Sequence, residues 1–152
     1  MRVATSKLNH VAMSVPAHFL TDATRAELVA FHRDVFGWSE QALDEPDGPL
    51  VIRISREPTQ FVFVQPDAGD GTRAGHMDHF GIEVPSEDAL DDILAAAHRY
   101  REQDERVKIV EKQLVRTMSP DGTGAFETIN CYIGYLLPMM VEVQHFRRSI
   151  ES

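Results

Sequence analysis

Met77-Asp78-His79-Phe80-Gly81-Ile82-Glu83-Val84-Pro85 has an earlier counterpart in Leu8-Asn9-His10-Val11-Ala12-Met13-Ser14-Val15-Pro16. Each stretch runs from an apolar residue through a small polar one to a histidine, then alternates until a Val-Pro close. Each histidine stands six residues before its proline, and the copies are offset by 69 residues. A repeat of this period predicts two copies of one supersecondary unit. Alternate residues of a strand share a face. Val11, Met13 and Val15 therefore oppose His10, Ala12 and Ser14, and Phe80, Ile82 and Val84 oppose His79, Gly81 and Glu83. Each strand has one apolar face and one histidine-bearing face, the pattern expected of a wall between a core and a pocket.

The same order of elements is legible after each copy. Thr24-Arg25-Ala26-Glu27 fits a capping box, and Leu28, Phe31 and Val35 follow at helical spacing, so a helix is predicted over 24–36 with Gly37 as its stop. Strands are expected at 38–42, 50–55 and 60–65, the last ended by Pro66. Leu50, Ile52 and Ile54 oppose Arg53, and Phe61 and Phe63 oppose Val62 and Val64. Residues 66–75 form a Gly/Asp-rich connection. In the second half, Ser86 is the expected N-cap of a helix carrying Leu90, Ile93, Leu94 and Ala97. Strands follow at 107–116, 126–136 and 139–146, with a turn at Ser119-Pro120-Asp121-Gly122. The predicted fold class is α+β: one domain of two βαβββ modules, 7–66 and 76–147, whose sheets surround a shared concavity.

Composition narrows the partners. With 152 residues and 43% hydrophobic content, the chain can bury a core. Fifteen basic against 24 acidic residues give a formal charge of −9. That balance argues against nucleic-acid partners, which require phosphate neutralisation, and against an anionic membrane surface. No apolar run approaches the roughly 20 residues that span a bilayer, and the start of the sequence lacks a signal peptide's apolar stretch. A cytoplasmic protein with a small-molecule substrate is the expectation. Cys131 is the single cysteine and lies in an apolar run, so a buried, inert thiol is expected.

The last strand carries the third candidate group. In Val141-Glu142-Val143, Glu142 faces away from the side the valines occupy. A carboxylate there is costly unless it is paired or ligates a cation. His10, His79 and Glu142 then come from three strands. Two imidazoles and a carboxylate suit one divalent metal ion (Fe, Mn, Zn or Ni), with positions left open for substrate. The same parity puts Arg53, Asn130 and Tyr132 in the concavity. Arg53 is a candidate for holding a substrate carboxylate or phosphate, or else an edge-strand surface arginine. Asn130 is a substrate-binding candidate. Tyr132 is a proton donor or orients substrate, or simply lines the pocket. Glu83 is a candidate general base, or else a surface carboxylate at the strand's end. His18, His32 and His98 are read as solvent-facing, His76 as a linker residue, and His145 as packing on the helix side.

His-Val-Ala-Met-Ser-Val-Pro at 10–16, Phe31-His32-Arg33-Asp34-Val35-Phe36-Gly37-Trp38 and His-Phe-Gly-Ile-Glu-Val-Pro at 79–85 together resemble the vicinal oxygen chelate superfamily. It includes glyoxalases, bleomycin-resistance proteins, methylmalonyl-CoA epimerases, fosfomycin-modifying thiol transferases and extradiol dioxygenases. The resemblance covers roughly residues 7–147. It implies paired βαβββ modules, a homodimer, and metal ligands at the positions of His10, His79 and Glu142. It further implies a metal acting as Lewis acid on vicinal oxygens of a small substrate, or Fe(II) chemistry with dioxygen, or ligand binding without chemistry as in bleomycin resistance. Glyoxalases and epimerases of the superfamily carry a fourth ligand on the last strand of the first module. Aligning 61–66 with that strand places Val62 there, and valine cannot ligate. The Asp-Pro-x-Gly turn typical before the last strand is also absent.

Overall fold

A computed structural model describes residues 7–118, 122 and 124–148, the side chain of Arg148 excepted. Contacts group the chain into two units. One holds the chain up to Arg33 together with Gly37–Arg73, and the other holds Asp34–Phe36 and the chain from Ala74 on.

The first half of the chain runs β1 (His10–Pro16), α1 (Asp22–Phe36, whose last three residues group with the second unit), β2 (Ser39–Gln41), β3 (Leu50–Arg53) and β4 (Phe61–Asp67). The sheet order is β1-β4-β3-β2, with β1 and β4 parallel and the other pairs antiparallel. Met13, Val15, Leu50, Ile52, Val62 and Val64 are buried, each worth about 1.5–3 kcal/mol as a fully buried side chain. Pro66 lies inside β4 rather than ending it. Its strand partner there is Val15 of β1, and β3 has already stopped at Leu50 opposite Val64. Helix α1 begins earlier than the capping box predicts. Thr21, not Thr24, is the N-cap, and its hydroxyl accepts from Thr24 N at 3.2 Å. Gly37 closes the helix at φ 71°, where a side chain would be strained, and its N–H donates to Arg33 O.

His32 corrects the sequence reading. It is 3% exposed, because it follows Leu28 by four positions and falls on the helix's apolar stripe. Its Nδ1 donates to Leu28 O at 2.7 Å and its ring stacks on Trp38 with centroids 5.5 Å apart. Burial lowers its pKa to about 4 against the backbone bond, so the imidazole is neutral.

The connection after β4 returns to β1. Thr72 N donates to Ser14 O and Ser14 N to Thr72 Oγ1, both at 2.8 Å, on the outer edge of the sheet. Gly71 makes this approach possible: at φ 77° a Cβ would meet Ser14 O at 2.6 Å. The segment satisfies edge groups that would otherwise invite another strand.

The second unit repeats the order: β5 (His79–Glu83), α2 (Glu87–Arg101), β6 (Lys108–Met118), β7 (Ala125–Gly134) and β8 (Met140–Arg148). Its sheet order, β5-β8-β7-β6, matches the first strand for strand, with β5 and β8 parallel. The expected βαβββ repeat and α+β class are therefore present. Ser86 caps α2 by accepting from Ala89 N at 3.1 Å. The helix packs on β6, β7 and β8 with Leu90 and Ala97 buried. Lys112 and Arg147 bind Glu87 from the sheet side. Cys131 is buried, and its thiol pKa is pushed up to about 12, chiefly by burial. Of the turn expected at 119–122, Ser119, Pro120 and Asp121 lie outside the described residues. Among the described residues, no helix is long and apolar enough to cross a membrane.

Candidate functional site

In the second unit the sheet face opposite the buried Phe80 and Val143 gathers His79, Asn130, Tyr132 and Glu142. Strand pairing causes this: Gly81 pairs with Glu142 across β5–β8, and Tyr132 with Glu142 across β7–β8. Directly paired residues point to the same side, so three strands deliver their side chains to one carboxylate. Glu142 is 6% exposed. Its Oε1 accepts from Asn130 Nδ2 at 2.6 Å and from Tyr132 OH at 3.0 Å. Its Oε2 stands 3.2 Å from His79 Nε2.

The hydrogen bonds fix which atoms are available. His79 Nδ1 lies 2.7 Å from Met77 O; a carbonyl only accepts, so Nδ1 carries the hydrogen and Nε2 faces Glu142. Two lone-pair-bearing atoms, His79 Nε2 and Glu142 Oε2, thus meet with their other halves already engaged. Only a proton or a cation between them makes that contact favourable. Donors bound to one tetrahedral ion at about 2.0–2.2 Å stand about 3.3 Å apart, close to the separation here. A metal-ligating histidine ordinarily donates its second N–H to a carbonyl, as His79 does.

Asn130 and Tyr132 sit on the predicted face, but they act on Glu142 rather than standing clear of it. Burial first, then the bond to Glu142, raises the Tyr132 pKa, which keeps its hydroxyl protonated as a donor. Asn130 Oδ1 is buried with no partner among the described residues. Turning the amide over would aim Oδ1 at the carboxylate, so Glu142 holds it in this orientation although a buried unpaired oxygen costs about 1–3 kcal/mol. Gln144, two residues on from Glu142 and paired with Asn130, shares the face and is half-buried. Its parity would have revealed it in the sequence. Glu83 is on the face of His79 but exposed, outside the hydrogen bonds around Glu142. His145 is half-buried, its Nδ1 3.2 Å from Val84 O, and His76 is exposed.

In the first unit His10 is exposed, with Nδ1 2.7 Å from Asn9 Oδ1 and its ring stacked on Phe61 at 5.0 Å and 11°. Arg53 pairs with Phe61, which pairs with His10, so all three share one face as parity predicts. Arg53 Nη2 donates to Arg56 O at 3.2 Å. Val62 is not the position expected of it. It is fully buried on the opposite face. His10 and Ala12 pair with Phe61 and Phe63 as His79 and Gly81 pair with Met140 and Glu142. Phe63 therefore corresponds to Glu142, and the first unit offers a phenyl ring where a fourth ligand would stand. Among the described residues, no three His, Cys, Asp or Glu side chains gather as a metal site.

The fold has solved counterparts. A lactoylglutathione lyase from Agrobacterium tumefaciens matches with TM-score 0.56 and 19% identity, over 93% of this chain and 94% of that one. A glyoxalase/bleomycin resistance protein from Albidiferax ferrireducens matches with TM-score 0.56 and 14% identity, over 92% and 99%. A virulence protein from Salmonella typhimurium matches with TM-score 0.57 and 14% identity, over 94% and 98%. No family model matches the chain, and no curated protein does. At these identities the likeness establishes the fold, which is that of the glyoxalase/bleomycin-resistance proteins.

Proposed function

We propose that this chain, with its glyoxalase/bleomycin-resistance fold, is a metal-dependent enzyme of the vicinal oxygen chelate superfamily, acting on a small substrate that chelates through two neighbouring oxygens. The observation that carries the reading is the 3.2 Å approach of His79 Nε2 to Glu142 Oε2, each with its other polar atom already engaged. His79, Glu142 and His10 are the residues to hold a divalent ion, which when bound supplies Lewis acidity. Asn130 and Tyr132 hold the carboxylate so that one oxygen is offered. Phe61 sets the plane of the His10 ring. Three protein donors leave room for two substrate oxygens.

Metal analysis of protein purified without chelators tests this. One equivalent of a divalent transition metal is expected, lost in His79→Ala and Glu142→Ala and weakened in His10→Ala. No metal under any loading condition would overturn it. A second reading, ligand binding without chemistry, has support from Phe61 and Phe63, which put an aromatic surface on the His10 face. Tight binding of planar aromatic ligands by metal-free protein, unchanged in Glu142→Ala, would favour that alternative.

A further inference from the structure

A cavity of about 460 Å³ opens beside Arg53 in the first unit, lined by Gly37, Ser39, Arg53, Ile54, Ser55 and Arg56. Two of the six lining residues are arginines and none is acidic. That is the reverse of a chain with formal charge −9. Two arginines among the lining residues favour an anion in the cavity over a cation. The local bonds say which groups remain to meet it. Ser55 Oγ donates to Gln60 Oε1 and accepts from Glu57 N, which commits that hydroxyl to the turn. Arg53 gives one bond to Arg56 O, and a guanidinium has five N–H groups in a fork that matches carboxylate or phosphate. Ser39 pairs with Arg53 across β2–β3, so its side chain is on the same face.

The position of this cavity ties it to the proposed metal ligand. Arg53, Phe61 and His10 stand in one row across β3, β4 and β1. Two strand spacings of about 4.8 Å put the backbones of Arg53 and His10 roughly 10 Å apart. The half-buried Phe61 ring, already stacked on His10, lies between them.

We propose that Arg53, Arg56 and Ser39 form an anion subsite that receives a carboxylate or phosphate at the far end of the substrate. Resting on the reading of His10 as a metal ligand, the proposal defines a substrate class. The substrate is an oxyacid with its chelating oxygens at one end, its anionic group at the other, and an apolar or planar spacer that crosses Phe61.

The subsite is testable without metal, so its failure is separable from failure of the metal reading. Metal-free, full-length ¹⁵N-labelled protein is titrated at constant ionic strength with inorganic phosphate, with benzoate, and with benzamide as an uncharged control. Saturable shifts are expected at Gly37, Ser39, Arg53 and Arg56 with phosphate, benzoate or both, and none with benzamide. Binding of phosphate alone assigns a phosphate ester, and of benzoate alone a carboxylic acid. Arg53→Gln and Arg56→Gln should each weaken the anion at least tenfold while the rest of the spectrum keeps its dispersion. Arg73→Gln, a substitution at an exposed arginine paired with Asp70, should leave anion affinity unchanged. Absence of saturable shifts at these residues, or equal affinity in both arginine variants, would overturn the subsite.

Discussion

Asn130 Nδ2 lies 2.6 Å from Glu142 Oε1, and the same carboxylate oxygen takes the Tyr132 hydroxyl at 3.0 Å. Two donors on one oxygen decide how the other is presented. The sheet uses β7 to aim a side chain of β8 towards β5. Asn130 and Tyr132 are thus positioning residues in this reading, acting through Glu142.

The first prediction follows from that geometry. Tyr132→Phe removes one donor and leaves the ring, with its edge contact to His79 at 4.9 Å, in place. Losing a hydrogen bond to the carboxylate should lower the unfolding free energy by about 1–2 kcal/mol and weaken metal binding about tenfold or more, as outer-shell substitutions do. Calorimetric metal titration and urea unfolding measure the two effects separately. Unchanged metal affinity would show that the hydroxyl does not orient Glu142.

Acid stability should report His32. Its folded pKa of about 4 lies below the ordinary 6.5 because burial penalises the charged ring. The folded state therefore binds fewer protons than the unfolded state between these values. Its contribution is fully present above pH 6.5 and is lost as pH falls towards 4, amounting to about 3 kcal/mol at most. His32→Leu should be less sensitive to pH than the unmodified protein within that window. Urea unfolding of both at pH 7.0, 5.5 and 4.5 tests it, and parallel pH dependences would refute the assignment.

Among the described residues strand β6 pairs only with β7, and residues 111–118 are exposed, Leu114 at 58% and Met118 at 66% among them. An edge strand with free N–H and C=O groups invites pairing, and Leu114, Val115 and Met118 add apolar surface to it. We propose a homodimer in which this edge is covered, and expect light scattering to give twice the 17.1 kDa of one chain. Val115→Lys should shift the mass towards the monomer. A monomer at micromolar concentration in the unmodified protein would remove the proposal.

The alternating faces of β1, β5 and β8 were legible because a period of two separates core from pocket residue by residue, and this brought His79 and Glu142 to one face. What joins strands to one another was not. Register is set by pairing, and a slip of one residue moves a side chain to the other face. Val62 was misplaced in this way, and the bonds of Asn130 and Tyr132 to Glu142 could not be foreseen for the same reason. His32 was misjudged from its polarity, although its spacing from Leu28 placed it on the buried stripe. Arg56 lies in an irregular turn, where no periodicity indicates direction.

Phe63 decides the last prediction. In the second unit the residue two places beyond the position paired with His79 is Glu142, and the matching residue of the first unit is Phe63. A glyoxalase-type proton shuttle uses a metal-bound carboxylate as base, and a phenyl ring supplies neither ligand nor base. We expect no lactoylglutathione lyase activity with the hemithioacetal substrate, despite the fold shared with an enzyme of that name. Phe63→Glu puts a carboxylate on the face of His10 and should strengthen metal binding. Val62→Glu would bury a charge in the core and should unfold the protein instead. Stopped assays of the unmodified protein and Phe63→Glu, alongside thermal unfolding of Val62→Glu, separate these effects. Turnover by the unmodified protein at about 1–10³ s⁻¹ would show that its chemistry does not need a ligand at Phe63. A folded, metal-binding Val62→Glu variant would show that the register assigned to β4 is wrong.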